Sequence, residues 1–379
     1  MASATKLQKV RKDELGYKAA DVIGLLTRRA DALGIPVMDA SSLKTKLSRW
    51  ENGHDQVNEP YRRLFRDIYG RTNDELGFPD DDEDDEVSEL RSQFALARSV
   101  DAGAIEAFRQ QVDSARRSDR RFGGIVLLDQ LRHLIEQLDG LLTHSTARGQ
   151  REGLASVLVE ASTLAGWVAL DRNAVGQAWG HYERAKTAAR EAGSATMLAH
   201  ALAEQAFVLI DIDETQHAVE QLEHARSLAE REASPLLRAW LAAASGEGFA
   251  ATGRQADALR AFDAADALLP ADPRDPALPF LFLGDSHLDR WRGNALAKLG
   301  EPDAVEQLTT ALPRLPAAFV RARVGMLVDL AYAHAAAGDR DEAQRYTRQA
   351  RQLGKQIRSD RHLRRLSGLV LPTGRSRSP

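Results

Sequence analysis

The sequence predicts an all-α protein in which a small helical head precedes an α-solenoid. Three observations lead there. Apolar residues recur at steps of three and four nearly everywhere, as in Leu127, Leu128, Leu131, Leu134, Ile135 and Leu138, the spacing that gathers one face of a helix. No run alternates apolar and polar residues beside Val/Ile/Thr-rich turns as strands do, whereas Ala, Leu, Arg, Glu and Gln, all good helix formers, dominate. The C-terminal half also repeats, with a period of about 40 residues, in the range of stacked helical hairpins.

Composition bounds the rest. A chain of 379 residues suits two or three domains, and its 43% hydrophobic and 28% charged residues are ordinary for a globular protein. Without cysteine there is no disulfide framework, thiolate zinc site or cysteine nucleophile, and the chain fits a reducing compartment. The first 18 residues lack the apolar core of a signal peptide. No stretch approaches 18 uninterrupted apolar residues, so a cytoplasmic protein with no membrane span is expected.

The net charge of −4 conceals a split: up to Arg71 the chain carries 14 Lys/Arg against 9 Asp/Glu. The run Asp80–Glu86 is wholly acidic, and like charges so dense repel and resist burial, which reads as a flexible linker. The last stretch is basic again. Breaks at 34–36, 70, 77–79, 123–124, 193–194, 234–235, 253 and 338, and the Pro-rich stretch 270–279, separate the helices. The expected division is a head over 1–79, a linker over 80–90, connecting helices over 91–153, repeats over 154–355 and a basic tail over 356–379.

The repeats are legible as small–large–small triplets: Ala178, Tyr182, Ala185; Ala218, Leu222, Ala225; Ala258, Phe262, Ala265; Ala304, Leu308, Ala311; and, with a smaller middle residue, Ala343, Thr347, Ala350. Small residues let two helices of a hairpin approach closely, and the large one fills the gap. Twelve residues before the first alanine stands a small residue: Gly166, Ala206, Gly246 and Ala331. The fourth repeat has Arg292 there, and Gly293 beside it suggests a one-residue slip. This arrangement, over roughly residues 155 to 352, resembles the tetratricopeptide repeat (TPR).

In the head, Ser41 or Ser42 can cap a helix in which Leu43, Leu47 and Trp50 share one face, with Gly53 as its end. Lys44, Thr45, Lys46 and Arg49 face elsewhere. An apolar back and a basic, hydroxyl-bearing front suit a major groove, where Lys and Arg donate to guanine edges or phosphates and Thr contacts either. Alone, the segment reads equally well as a basic surface helix. Arg49-Trp50-Glu51-Asn52-Gly53, preceded by Leu7, Val10 and Leu15–Tyr17 and followed by Pro60–Phe65, Ile68–Gly70 and Glu75–Phe78, resembles the Xre/Cro-like helix-turn-helix. The resemblance implies base contacts from Lys44, Thr45, Lys46 and Arg49, with Ser42 beside them, and a phosphate contact from Asn52. Ala19 stands where the family often has a phosphate-binding Gln, and Lys18 is the substitute. The connection over 33–39 is longer than the family's turn.

The order of this head, the Glu75–Phe78 ending, the runs Asp119–Gly124 and Gly166–Asp171 and the repeats is similar to actinobacterial Xre-family regulators with TPR-like C-terminal domains, an architecture like that of the RRNPP regulators. It implies a homodimeric transcriptional regulator on double-stranded DNA, its operator an inverted repeat, whose repeats answer a peptide or small-molecule effector. The repeat register turns Glu160, Thr163, Trp167, His200, Phe207, Trp240, Glu247, Asp289 and Tyr332 toward the concave groove, where aromatics and scattered polar groups suit such a ligand; core packing is the other reading of the same aromatics. There is no Gly-rich phosphate loop, HExxH or nucleophile elbow, and the ten histidines are scattered. No enzyme, cofactor or metal is expected. The alternative is a TPR scaffold for a protein partner, with a head not used for specific DNA binding.

Overall fold

The computed structural model describes residues 5–79, 83–124, 127–275, 278–284 and 286–372, and every regular element among them is helical. The chain divides into two units, Met1–Gln93 and Phe94–Pro379.

The head holds α1 (Lys6–Lys9, continued by a wider turn over Val10–Glu14), α2 (Ala19–Leu33), α3 (Ala40–Glu51), α4 (Tyr61–Tyr69) and α5 (Asn73–Leu76). Leu43, Leu47 and Trp50 of α3 are buried together with Leu26, Leu64 and Phe65, as the i, i+4, i+7 spacing requires. The Trp50 and Phe65 rings meet edge to face at 5.9 Å, a preferred aromatic geometry. The cap of α3 differs from expectation. Asp39, not Ser41 or Ser42, is the N-cap, its carboxylate accepting from both serine N–H groups at 3.0 Å. A carboxylate one position outside the helix satisfies two orphan donors and favours the positive helix end, which a hydroxyl inside the first turn does less well. The long connection before α3 is fastened where the Met38 N–H donates to the Tyr61 hydroxyl at 2.9 Å.

The linker expectation is also corrected. Asp80–Asp82 lie outside the described residues, but α6 (Glu83–Arg98) begins inside the acidic run. Carboxylate-bearing residues are favoured in the first turn of a helix, where the unpaired N–H groups concentrate positive charge.

The second unit opens with α7 (Ala102–Phe122) and α8 (Leu127–His144). Five antiparallel hairpins follow: α9 (Arg148–Asp171) with α10 (Val175–Glu191), α11 (Ala195–Asp211) with α12 (Thr215–Ala229), α13 (Pro235–Ala251) with α14 (Gln255–Leu268), α15 (Ser286–Leu299) with α16 (Asp303–Ala311), and α17 (Val320–Ala336) with α18 (Arg340–Ile357). They are TPR-like hairpins, and the reason is steric. A Cβ on Gly166 would lie 2.8 Å from the Tyr182 ring, one on Gly246 2.6 Å from Phe262, and one on Gly293 2.6 Å from Leu308. The large residue of each triplet occupies the space its partner helix leaves empty. Gly293, not Arg292, takes this place in the fourth hairpin, so the register slips by one residue there. In the fifth, Tyr346 is buried where Thr347 was expected, and the Thr347 hydroxyl instead donates to the Ala343 carbonyl at 2.7 Å.

Helix α9 is long and apolar enough to cross a membrane by composition, but 83% of its most apolar window is buried within this fold; it is a core helix. The last helix, α19 (Asp360–Ser367), corrects the reading of a basic tail. It packs against α9 and α17, and α7 packs against α17, so the two ends of the hairpin row meet. Gly123, at φ +71°, allows the approach: a Cβ there would stand 2.6 Å from the Ile357 carbonyl oxygen. The remaining tail, 373–379, lies outside the described residues.

Candidate functional site

Closing the row of hairpins leaves a cavity of about 460 Å³ on its inner side. First helices α9, α11, α13, α15 and α17 supply the walls, α7 and α19 contribute from either end, and residues 280 and 282, after the Pro-rich stretch, enter from the side. Seven of the nine residues expected to face the groove line the cavity together: Glu160, Thr163, Trp167, His200, Phe207, Trp240 and Glu247.

Asp289 and Tyr332 do not line the cavity. The slip at Gly293 turns α15 by one position, so Arg290 faces inward and Asp289 turns away to bind Gln307 at 3.1 Å and Arg314 at 2.8 Å. At the other end α19 covers the groove, and the Tyr332 hydroxyl donates to the Arg365 carbonyl at 2.6 Å.

The lining is aromatic and charged at once. The His200 ring lies 5.0 Å from Trp240 and 4.5 Å from Phe280, and Trp240 meets Trp291 at 5.5 Å. Two guanidinium groups lie near the Trp167 ring, Arg321 at 5.8 Å and Arg361 at 5.6 Å from its centroid, within reach of a cation–π attraction. Eight basic side chains line the cavity against six acidic ones, and most are paired. Arg116 bonds Glu160 at 3.3 Å, Arg361 clasps Asp211 through two bonds of 2.5 and 2.7 Å, Arg365 bonds Asp329 at 2.6 Å, and Lys298 bonds Glu247 at 2.9 Å. Each partner would be costly to bury alone.

Burial sets the protonation states. It pushes the Glu204 carboxyl up to about 7, against a smaller opposing effect of the Tyr182 hydroxyl that donates to it at 3.3 Å. Burial, helped by nearby Arg116, pushes His200 down to about 3, and burial with Arg290 and Arg120 does the same to His287. Both imidazoles are therefore neutral at pH 7, and the arginines give the cavity a positive balance.

Sequence reasoning missed Arg116, Arg120, Phe280, Phe282, Arg321 and Arg361. All lie outside the first helices of the repeats or follow the slip. Two signals were available: the run Asp119–Gly124, which contains Arg120, and the Pro-rich stretch, which lengthens the period where Phe280 and Phe282 are inserted.

The residues expected to touch DNA are gathered on the head, but not all are free. Lys44 and Thr45 are exposed on α3. Lys46 and Arg49 both bind Asp55, at 3.0 and 2.7 Å, and the two cations hold that carboxyl well below the usual carboxylate range. The Ser42 hydroxyl donates to Asp39 at 2.7 Å and the Asn52 amide to the Ser48 carbonyl at 2.7 Å. Lys18 precedes α2, its backbone N–H donating to Asp21 at 2.9 Å. Beneath them, Arg11 and Glu51 form a buried bidentate pair, with Nη2 to Oε2 at 2.7 Å, and Arg11 also donates to the Tyr17 carbonyl at 2.7 Å. This ties the chain start to the end of α3.

No family model matches the chain, and no curated protein does. Among solved structures it is similar to the nearly identical TPR-like repeats of a Podospora anserina protein described as a kinesin light chain, crystallised as a single-residue variant, with 18% identity over 54% of this chain and 97% of that one and a TM-score of 0.35. It is also similar to BtubC (BKLC) from P. vanneervenii, with 16% identity over 72% of this chain and 97% of that one and a TM-score of 0.37. Such low scores carry no functional argument, and the hairpin assignment stands on the packing described above.

Proposed function

We propose that this chain works by binding rather than by catalysis, as a TPR-like interaction module whose cavity receives a small effector or a short segment of a partner. The observation that carries this reading is the cavity itself: about 460 Å³, within the usual range of ligand pockets, with aromatic walls and a few converging polar groups. Trp167, Trp240 and Trp291 line it, so intrinsic fluorescence reports occupancy. Fractionated cell extract is expected to contain a component that shifts this fluorescence and is retained by the protein. Trp240→Ala, with an unchanged circular dichroism spectrum, is expected to weaken the retention at least tenfold; unchanged retention would count against the cavity as the site.

The head favours a second, compatible reading: a homodimeric DNA-binding regulator governed by that effector. The supporting observation is α3, whose apolar side is buried while Lys44 and Thr45 stand exposed over a base fastened by Arg11 and Glu51. A mobility-shift series with a genomic fragment library across rising salt tests it. Specific complexes that weaken with salt, and that vanish in Lys44→Glu/Arg49→Glu, are expected. Failure across the library would leave the interaction scaffold alone.

A further inference from the structure

Of the eight basic side chains that line the cavity, three stand apart from the ion-pair network among the described residues: Arg364, which donates to the Asp211 backbone carbonyl at 3.3 Å, and Arg120 and Arg290. Among the described residues neither Arg120 nor Arg290 has a carboxylate within ion-pair distance. Arg290 lies near Glu247 and Asp329, but those carboxylates are engaged by Lys298 and Arg365. Its Nε is buried without a hydrogen-bond partner, and so is Nε2 of His287 on the same helix, three residues earlier. Arg120 reaches the same place from α7. Its guanidinium lies 3.7 Å from the Phe282 ring centroid, and the His287 ring stands 4.6 Å from Phe319 and 6.4 Å from Phe282.

Two guanidinium groups and a neutral imidazole thus converge on one aromatic-walled corner, where Arg290 Nε and His287 Nε2 are buried without a partner. A buried donor without an acceptor is costly, and a cation against a π face recovers only part of its lost hydration. Burial holds Arg120 down at about 10 and also lowers Arg290, the direction expected for cations lacking a counter-ion. An arriving anion would satisfy the donors and restore both groups, and a guanidinium fork matches the two oxygens of a carboxylate, sulfonate or phosphate.

We infer that the cavity takes a compact organic anion with an aromatic or flat apolar body, its acidic group held by Arg120, His287 and Arg290 and its body lying against Trp240, Trp291 and Phe207. This rests on reading the cavity as the binding site. The same chemistry would accept the carboxylate of a free metabolite or of a peptide's C-terminus. The cavity volume favours the free small molecule, because an extended peptide of several residues would not fit within it.

The test compares two dyes on the purified full-length chain: 1-anilinonaphthalene-8-sulfonate, and N-phenyl-1-naphthylamine, which has the same rings and no sulfonate. Occupancy is read by energy transfer from the cavity tryptophans. The sulfonate is expected to bind at least tenfold more tightly than its neutral counterpart. Arg120→Gln and Arg290→Gln are each expected to erase most of that preference while the neutral dye binds as before, and Arg290→Lys to keep part of it. Equal affinities for the two dyes in the unaltered protein would overturn the anion site while leaving the cavity reading intact; this comparison needs no variant to fold. If neither dye binds, or if both bind undiminished in Trp240→Ala and in Phe207→Ala, the cavity is not a ligand site and both readings fall. A C-terminally free tetrapeptide that displaces the sulfonate, when its amidated form and free aromatic carboxylates do not, would move the assignment to a peptide end.

Discussion

Arg321 grips Asp119 through two parallel N–H···O bonds of 2.6 and 2.5 Å across 202 positions of the chain, and its Nε lies 2.9 Å from Asp171. All three side chains are buried. Burial alone would lower the Arg321 pKa, but the two aspartates outweigh it and the net shift is upward. The runs Asp119–Gly124 and Gly166–Asp171 therefore have a shared structural meaning: each brings one carboxylate to the guanidinium that holds α7 and α9 against α17.

Removing one member of this cluster leaves charge buried without compensation. Arg321→Met is expected to destabilise the second unit by about 3–5 kcal/mol, read from urea unfolding. Asp119→Asn should cost less, because Asp171 remains. Combining the two should cost less than the sum of the single losses, as for any pair in direct contact. Additive losses would mean the residues act separately.

Two glycine substitutions separate steric from conformational effects. Gly246→Ala places a Cβ 2.6 Å from the Phe262 ring and should destabilise by about 1–3 kcal/mol through overpacking. Gly180→Ala, exposed in α10 with nothing within 4 Å of the added Cβ, should stabilise by about 0.5–1 kcal/mol through helix propensity. Thermal unfolding of the two variants should move in opposite directions.

Glu204 predicts a pH dependence. Its carboxyl rises from 4.5 to about 7 on folding, because burial penalises the charged form. A raised pKa contributes stability that is complete below the unfolded value and is lost as pH rises through the folded one. Between about pH 4.5 and pH 7 the protein should therefore lose up to about 3 kcal/mol that Glu204→Gln, neutral throughout, retains. Parallel stability curves for the two proteins over that window would show that Glu204 titrates normally.

Asp55 offers a test in the head. By binding Lys46 and Arg49 it withholds two cations from any phosphate. On the DNA-binding reading, Asp55→Asn should raise affinity and steepen its decline with salt, since each new phosphate contact releases about one more counterion. An unchanged slope would mean that neither cation faces the backbone.

The sequence by itself determined the helices, the five hairpins and much of the inner wall. These depend on local periodicity, and a triplet such as Ala258, Phe262 and Ala265 records a contact between neighbouring helices joined by a short turn. It also placed Trp167, His200, Phe207, Trp240 and Glu247 on one surface. It misplaced Asp289, because a slip of one residue near Gly293 rotates a helix without altering its composition. It misread 356–372 as part of a tail, because the partners of Arg361 and Arg365, Asp211 and Asp329, lie 150 and 36 positions away. Only the tertiary structure decided that the row of hairpins closes and that Arg120, His287 and Arg290 share one corner. Those meetings depend on small rotations accumulated over successive hairpins, and a pattern that repeats every hairpin cannot record where the accumulated rotation ends.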